Sequence, residues 1–352
     1  MKWKGVLLVY DKHLDYEEDY LKEGKRASRK ERKRISSGDR SKYKKTDQKE
    51  YPPPPEGDFL RGRVLAVASL GITVQLGAEM RLCHLRGALK QEKGHHKNLI
   101  VTGDFVLVEG ESIVYIEKRH SVLSRADNLT RIKEQLIAAN IDQVLIMTSI
   151  ADPHLKPTLI DRYIITAVKG NMLPIIVVNK IDLLTPSPQY AEFVKVYSAL
   201  GYPFIEVSAT QGIHLKALRD LMINKASVLS GQSGVGKTSL INALFGLNLK
   251  TAGVVEKTRK GVHTTSQSTL LPLPEGGFCI DTPGIKSFGL WQFDKSTLLS
   301  HFPEFEPFAH KCQFKGCSHT HEPGCAIRRA IEKGILSPMR YHSYVELLTN
   351  EE

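Results

Sequence analysis

The sequence lacks any apolar stretch long enough to cross a membrane. It has 352 residues, 41% of them hydrophobic, yet no run approaches the about 20 apolar residues of a membrane span. The short patch Val6–Val9 is too brief for a signal peptide, and no small-residue cleavage site follows it. We therefore expect a cytoplasmic protein of two or three globular domains with no membrane partner.

Cysteine is also scarce, and three of the 5 cysteines lie between residues 312 and 325. This crowding predicts a metal site rather than the disulfide framework of a secreted protein. Three thiolates and one imidazole form the tetrahedral donor set of structural zinc, here Cys312, Cys317, His319 and Cys325. Because four donors complete the site, the nearby His310 and His321 are weaker candidates. The isolated Cys83 is expected to be a structural thiol.

Acidic residues are outnumbered, with 38 Asp and Glu against 49 Lys and Arg, a net charge of +11. Residues 21–50 alone hold 13 basic residues against 5 acidic ones. This segment belongs to residues 1–57, which are poor in apolar side chains and end in a polyproline stretch. The composition predicts a flexible basic arm that binds a polyanion, with RNA the leading candidate. A merely solubilising tail is the alternative.

The pattern of apolar and polar residues divides the remaining chain into a β-rich part and an α/β part. Residues 58–118 contain about five short β-like runs, which predict a small all-β barrel of the OB-fold type that binds RNA through one face. Candidate RNA contacts there are Arg81, His84, Arg86, His95, His96 and Lys97, although each could simply be solvated. In residues 119–290 strands alternate with helices, which predicts a mostly parallel sheet covered on both faces.

A phosphate-binding loop begins behind the apolar run Ala226–Leu229. The pattern G-x-x-x-x-G-K-[ST] lies between a strand and a helix, as this motif requires. It comprises Gly231, Gln232, Ser233, Gly234, Val235, Gly236, Lys237 and Thr238. Its glycines allow backbone N–H groups to point at phosphate oxygens. Lys237 would reach the β- and γ-phosphates, and Thr238 would ligate Mg²⁺.

Two further motifs predict recognition of guanine. Asn179, Lys180 and Asp182 form N-K-x-D directly after an apolar strand. The Asp182 carboxylate can accept from guanine N1–H and the exocyclic amine, a donor pair that adenine lacks, so an ATPase is disfavoured. Ser208 and Ala209 follow another strand and would present a backbone N–H to the guanine O6.

The remaining pair of motifs predicts the γ-phosphate switches. Asp281 and Gly284 belong to D-T-P-G, in which Asp281 would hold Mg²⁺ through water and the Gly284 amide would meet the γ-phosphate. The polar loop Gly261–Ser266 contains Thr264 and Thr265, either of which could ligate Mg²⁺. Each tetrapeptide alone could be an ordinary turn. Together, each near an apolar strand, they identify a GTPase.

The motif order is permuted, because N-K-x-D and S-A precede the P-loop instead of following it. In this respect residues 58–340 resemble the RsgA family, also known as YjeQ or YloQ. The resemblance implies an N-terminal OB-fold, a circularly permuted GTPase domain and a C-terminal zinc domain, here residues 291–352. It also implies GTP/GDP and Mg²⁺ as ligands, one structural Zn²⁺, and action on the small ribosomal subunit and its rRNA. We expect a monomer.

The catalytic group is less clearly indicated. Ras-like proteins place a Gln after D-x-x-G to orient water, whereas this chain has Ile285. His263 is the nearest polar candidate and the one that the resemblance also suggests, with Lys237 assisting; the alternative is that His263 contacts RNA or phosphate. Val262 and Ser266 depart from the family's G-R-H-T-T-T. We expect slow hydrolysis that the subunit accelerates; the alternative is an RNA-binding scaffold whose GTP site only senses nucleotide.

Overall fold

The computed structural model describes residues 53–87, 89, 99–126, 134–246, 268–281 and 295–349. Most of the predicted basic arm, residues 1–57, therefore lies outside the described residues. Among the described residues, none of the helices combines the length and the apolar character that crossing a bilayer requires.

Five strands form the predicted β-barrel. They are β1 (Leu60–Ala68), β2 (Gly71–Leu76), β3 (Glu79–Leu85), β4 (Phe105–Glu109) and β5 (Ser112–Ile116). β1 pairs with both β2 and β4, and β3 pairs in parallel with β5, which closes the sheet on itself. Alternate side chains point inward and exclude water, among them Val64, Val74, Cys83, Val106 and Ile113. The Cys83 thiol is buried, in agreement with a structural role.

The segment that follows the barrel contains a hairpin that the sequence did not suggest. Its strands, β6 (Val122–Ala126) and β7 (Glu134–Ala139), form a separate two-stranded sheet, and an isolated bridge joins Ala138 of β7 to Thr102. The run LIAA within β7 is too short and too uniformly apolar to show a two-residue period, so the pattern carried no strand signal.

The α/β part is built on a central sheet with helices on its faces. Its elements are β8 (Gln143–Ser149), α1 (Pro157–Lys169), β9 (Leu173–Asn179), α2 (Pro188–Ser198), β10 (Phe204–Glu206), α3 (Leu215–Met222), β11 (Ala226–Gly231), α4 (Lys237–Phe245), β12 (Thr269–Pro272) and β13 (Phe278–Asp281). The strand order is β10-β9-β8-β11-β13-β12, parallel except for β12. Every residue of β8 and of β11 is buried, which is why both read as continuous apolar runs.

The barrel and the central sheet share hydrogen bonds along one edge. β12 pairs with β13 on one side and, through Ala66 and Thr269, with β1 on the other. The Thr102 hydroxyl also donates to the Ser268 carbonyl at 2.8 Å. The Arg63 guanidinium lies over the rings of Phe105 and Phe278 at this junction. The eleven strands therefore form one continuous sheet.

The C-terminal part is helical and packs against α1. It contains two 3₁₀ segments, Lys295–His301 and Pro303–Phe305, followed by α5 (Glu306–Ala309), α6 (Ala326–Glu332) and α7 (Pro338–Thr349). Its apolar core includes Phe302, Phe305 and Tyr344 and extends to Ile165 of α1. The closest tie is a buried ion pair in which Arg340 of α7 donates to Asp161 of α1 at 2.5 Å.

Candidate functional site

The predicted nucleotide-binding motifs meet at the carboxyl edge of the central sheet. Asn179, the last residue of β9, is in register with Ser149 at the end of β8. Gly231, the last residue of β11, is in register with Met147 of β8. Because these strands are parallel, the loops that follow them converge at one edge, where open α/β sheets bind ligands.

Glycine is required at three positions of the P-loop for steric reasons. Gly231, Gly234 and Gly236 have φ of 147°, 84° and 91°, values that L side chains rarely adopt. A Cβ on Gly231 would lie 2.1 Å from the Met147 carbonyl oxygen, and one on Gly236 would lie 2.6 Å from Asn179 Nδ2. The loop therefore passes close to its neighbours, and Ser233 and Gly234 remain exposed at its rim.

The P-loop ends at the first turn of α4, where Lys237 and Thr238 begin the helix. Lys237 Nζ donates to the carbonyl oxygens of Gly231 and Gln232, both at 2.6 Å. The ammonium group is thereby held over the loop. Thr238 is half-buried and lies in the first turn of the helix, at the positive end of the helix dipole. Cationic and N–H donors thus converge at a place suited to phosphate oxygens.

Asn179 joins the phosphate loop to the predicted base-reading loop. Its side chain is buried, with Nδ2 donating to the Val235 carbonyl at 2.9 Å and Oδ1 accepting from the Ala209 N–H at 3.2 Å. One amide therefore holds together two loops that are far apart in sequence. An amide nitrogen carries two protons, so the second remains available for a ligand.

Lys180 and Asp182 belong to the segment that follows β9. The Ser208 hydroxyl donates to the Asp182 carboxylate at 2.5 Å and lowers the pKa of that carboxyl below its ordinary value. The Thr210 hydroxyl is in turn 3.0 Å from the Ser208 hydroxyl. Asp182 is thus kept ionised as a hydrogen-bond acceptor. Lys180, at φ 63°, extends its side chain to the Asp152 carbonyl at 2.5 Å.

The loop after β8 is a part of the site that sequence reasoning missed. Pro153 Cδ lies 3.6 Å from the position of a Cβ on Gly234, so this loop borders the P-loop. The buried Ser149 hydroxyl donates to the carbonyls of Ala151 and Pro153, at 3.1 and 2.8 Å. The loop contributes backbone carbonyls rather than side chains to these contacts, so no motif announces it.

Several predicted site residues lie outside the described residues. These are His263, Thr264, Thr265, Gly284 and Ile285, together with the side chain of Asp281. The backbone of β13 ends at Asp281, which is in register with Thr269 of β12. The switch motifs therefore stay predictions.

A second candidate site lies in the C-terminal part. Single donor atoms of Cys312, Cys317, His319 and Cys325 all lie within 4.8 Å of one another. Cys312 Sγ is 3.9 Å from Cys325 Sγ, and His319 Nδ1 is 3.5 and 3.6 Å from these two sulfurs. Tetrahedral zinc with bonds of about 2.3 Å places its sulfur ligands about 3.8 Å apart. The geometry therefore fits zinc, and neither His310 nor His321 belongs to the group.

Burial and hydrogen bonds prepare this cluster for a cation. Burial raises the pKa of the Cys317 thiol to about 12 and lowers the pKa of His319. Three neighbouring thiols ionise together only if a cation compensates their charge. The Ala326 N–H donates to Cys312 Sγ at 3.3 Å, and the Tyr341 hydroxyl donates to the His319 carbonyl at 2.8 Å. The donor set is therefore oriented by its surroundings.

Comparisons with known proteins agree with this arrangement. The sequence model described as RsgA GTPase matches residues 116–291. A protein of Gemmatimonas aurantiaca named small ribosomal subunit biogenesis GTPase RsgA is 44% identical over 271 residues, covering 75% of this chain and 88% of its own length. The protein of the same name from Chlorobaculum parvum is 41% identical over 287 residues, covering 77% of this chain and 91% of its own length.

Two solved structures share the fold. The crystal structure of YjeQ from Thermotoga maritima aligns with a TM-score of 0.66 at 28% identity, covering 84% of this chain and all of that one. YloQ, described as a circularly permuted GTPase, aligns with a TM-score of 0.62 at 25% identity, covering 83% of this chain and 94% of its own. With its P-loop joined through Asn179 to a base-reading loop that precedes it in the chain, this protein belongs to the RsgA GTPase family.

Proposed function

We propose that this GTP hydrolase acts in the cytoplasm as a monomer in the assembly of the small ribosomal subunit, with turnover that the subunit accelerates. The observation that supports the proposal is the contact that Asn179 makes between the predicted phosphate and base loops, in a chain 44% identical to a protein named for small-subunit biogenesis. Ribosomal RNA is the proposed contact, and the basic arm within residues 1–57 would add phosphate contacts. The division into residues 58–118, 119–290 and 291–352 stays a prediction.

The base would be read by groups that the fold has already oriented. The Asp182 carboxylate, ionised and steadied by Ser208, accepts from guanine N1–H and the exocyclic amine. The second Asn179 amide proton would donate to N7. The Ala209 N–H, which donates to Asn179 Oδ1 at 3.2 Å, would be shared with O6. The Lys180 stem, extended toward Asp152, packs on the plane of the base. Adenine offers neither donor of this pair, so the site selects guanine.

The phosphates would be held by the P-loop, Gly231–Thr238. Lys237, which now donates to two P-loop carbonyls, would turn part of its hydrogen bonding to the β- and γ-phosphates. Thr238 and Asp281 would hold Mg²⁺, together with Thr264 or Thr265, and the Gly284 amide would meet the γ-phosphate. Bound Mg²⁺ supplies charge neutralisation at the transferring phosphoryl group. His263 would orient the attacking water.

The C-terminal cluster Cys312, Cys317, His319 and Cys325 would hold one Zn²⁺. Four protein donors leave no open position for water or substrate, so the ion stabilises structure rather than performing chemistry. It would fix the loop between residues 312 and 325 against α6, which begins next to the last ligand.

Multiple-turnover GTP hydrolysis with and without purified small subunits tests the proposal. We expect slow turnover alone and at least tenfold acceleration with subunits, because ordered switch loops would complete the catalytic site. His263→Ala should lose most of the acceleration while keeping GTP affinity. Unstimulated turnover in wild-type protein that nevertheless binds subunits would favour the RNA-binding scaffold.

Guanine recognition has its own test. Asp182→Asn keeps an oxygen that accepts from N1–H but replaces the acceptor of the exocyclic amine with an NH₂ donor. It should therefore shift preference from GTP to xanthosine triphosphate, whose base has a carbonyl acceptor at the amine position. Gln211→Ala, at an exposed side chain beside the same loop, is the matched control and should keep GTP preference. Equal affinity of both variants for GTP would contradict the proposed base contact.

A further inference from the structure

The loop between the first two cysteine ligands projects an aromatic ring into solvent. Phe314 is 46% exposed, while Phe302 and Phe305 of the same small part of the chain are completely buried. Its neighbours Lys311, Gln313 and Lys315 are exposed as well. We call Lys311, Gln313, Phe314 and Lys315 the Phe314 platform. Since the local core is complete without Phe314, this ring is not needed for packing.

Neighbouring residues fix the backbone of the platform through several contacts. Cys312 and Cys317, two members of the donor cluster, bracket its residues 313–315. The Gln313 N–H donates to the Gly324 carbonyl at 3.3 Å, and the Gln313 side chain covers Gly324 so closely that a Cβ there would lie 2.3 Å from its Oε1. A side chain on a fixed backbone loses less conformational freedom when it contacts a partner, and this favours binding.

Two lysines supply positive charge beside the ring. Lys311 and Lys315 flank the ring in sequence, and neither forms an ion pair with an acidic residue in the part of the chain that the structure describes. Lys311 Nζ instead lies 5.6 Å from the Phe308 ring centre. The nearby Glu322 is engaged by the N–H groups of Ser318 and His321.

The barrel's described candidate arginines differ from these lysines. Arg81 is bound to Glu79 at 3.0 Å, and Arg86 is bound to Glu109 at 3.1 Å. Their charge is partly matched within the protein, so each would exchange an existing partner for a phosphate. Among the described residues, the platform lysines have no such acidic partner to give up.

We propose that the Phe314 ring stacks on an unpaired base of RNA while Lys311 and Lys315 contact the flanking phosphates. Exposed aromatic rings between cations are how proteins hold single-stranded RNA, because every base has a π-face. A protein partner fits less well, because the ring stands among lysine and glutamine side chains rather than in an apolar patch. The inference rests on the proposed function and names one contact through which the subunit's RNA is held.

Substitutions at Phe314 separate stacking from simple apolar contact. Phe314→Ala should weaken binding to purified small subunits by about tenfold or more, given the typical contribution of base stacking. Phe314→Leu should be as weak as the alanine variant, and Phe314→Tyr should remain within about threefold of wild type. Ile335→Ala, which removes a side chain 61% exposed elsewhere on the same part, is the control and should bind like wild type. Unchanged metal content and melting temperature would show that the variants are folded.

A second readout identifies the contact chemically. Probing of the subunit's RNA should show an unpaired base that wild type and Phe314→Tyr protect and that Phe314→Ala and Phe314→Leu leave reactive. Retained binding by Phe314→Leu would overturn stacking in favour of an apolar protein contact, and equal binding by all variants would overturn the platform.

A simpler probe separates this inference from the proposed function. Fluorescence anisotropy with a short single-stranded oligoadenylate should show the same ranking of variants without any ribosomal subunit. If wild type binds the oligonucleotide with this ranking but subunits do not stimulate GTP hydrolysis, the proposed function fails and the platform stands. If stimulation is present and Phe314→Ala binds both probes like wild type, the platform fails and the function stands.

Discussion

Asn179 shows how a single side chain can organise a binding site. Its amide bridges Val235 of the P-loop and Ala209 of the base-reading loop. The close approach is possible because residue 236 is glycine; a Cβ there would lie 2.6 Å from the amide nitrogen. Hydrogen bonds are stronger in a low-dielectric interior than in water. Removing this buried amide would therefore leave both loops without the bonds that position them. If the two loops bind phosphate and base as proposed, this residue would couple the two events.

Asn179→Ala should therefore lower the affinities for GTP and for GDP by at least tenfold each. The substitution leaves the buried Val235 carbonyl without its donor, a loss of about 1–3 kcal/mol, and frees both loops. Isothermal titration with each nucleotide measures the effect. Gln211→Ala, on the exposed side of the base loop, should leave both affinities unchanged. A variant that lost GTP affinity alone would contradict a role in joining the two loops, because that role is common to both nucleotides.

At the scale of elements, β12 is the strand through which the barrel meets the nucleotide sheet. Its first residue pairs with β1 of the barrel, and the preceding Ser268 accepts a hydrogen bond from Thr102 at 2.8 Å. Ser268 follows residues 247–267, which contain the predicted switch threonines. We therefore propose that a partner bound to the barrel would act through β12 on the predicted switch.

Thr102→Val should uncouple the barrel from the switch without unfolding either. Removing the hydroxyl donor lowers the free energy of unfolding by about 1 kcal/mol and should leave GTP affinity intact. Subunit-stimulated hydrolysis should fall several-fold, measured in the same assay as basal turnover. Thr73→Val, on β2 of the barrel, is the matched control and should keep full stimulation. An equal fall in basal and stimulated rates would instead indicate damage to the nucleotide site.

At the scale of the whole molecule, a buried ion pair attaches the C-terminal part to α1. Arg340 is 3% exposed and contacts Asp161, which is fully buried, and Glu304 at 2.6 Å. Tyr197 also donates to Asp161, at 2.8 Å, and the Arg340 guanidinium lies 4.2 Å from the Phe302 ring centre. Buried pairs are strongly destabilising to break because a charge is left without compensation. The pair therefore holds α7 on α1 in one geometry.

Arg340→Met should lower the free energy of unfolding by about 3–5 kcal/mol, because it leaves Asp161 charged and buried. Arg340→Met combined with Asp161→Asn should recover part of this loss, since asparagine removes the charge and still accepts from Tyr197. Urea unfolding of the two single variants and the double variant measures the coupling. A double variant less stable than both single ones would contradict this explanation.

If the proposed Zn²⁺ is bound, its removal should unfold the C-terminal part selectively. Metal binding in small zinc modules contributes on the order of 10–16 kcal/mol, more than the short segment around residues 312–325 can replace by packing. Chelation should raise hydrogen exchange in α6 and weaken subunit binding while GTP affinity stays within about twofold. His319→Ala should lose the metal, measured by mass spectrometry, whereas His321→Ala should retain it. Loss of GTP affinity on chelation would show that the metal also supports the nucleotide site.

Much of this molecule was predictable because its signals are local. The P-loop, N-K-x-D, S-A and D-T-P-G motifs each follow an apolar strand. Their order along the chain identified the class of nucleotide, the circular permutation and the family. The five barrel strands and the helices α1, α2 and α3 were also expected from alternation and amphipathic spacing. The hairpin β6–β7 was not expected, because the apolar run in β7 shows no two-residue period. The loop at Asp152 was not expected either, because it makes its contacts through backbone carbonyls.

What the sequence by itself determined is the chemistry: which side chains can bind guanine, phosphate and a soft metal ion, and in what order they occur. Only the tertiary structure decided the connections between the parts. Asn179 reaches Val235, Thr102 reaches Ser268, and Arg340 reaches Asp161 across 56, 166 and 179 positions of chain. Such contacts depend on how strands and helices are arranged in space, and residue spacing carries no record of that arrangement. The exposure of Phe314 was also decided by the tertiary structure. The sequence alone does not say which aromatic rings fill the local core and which one remains in solvent.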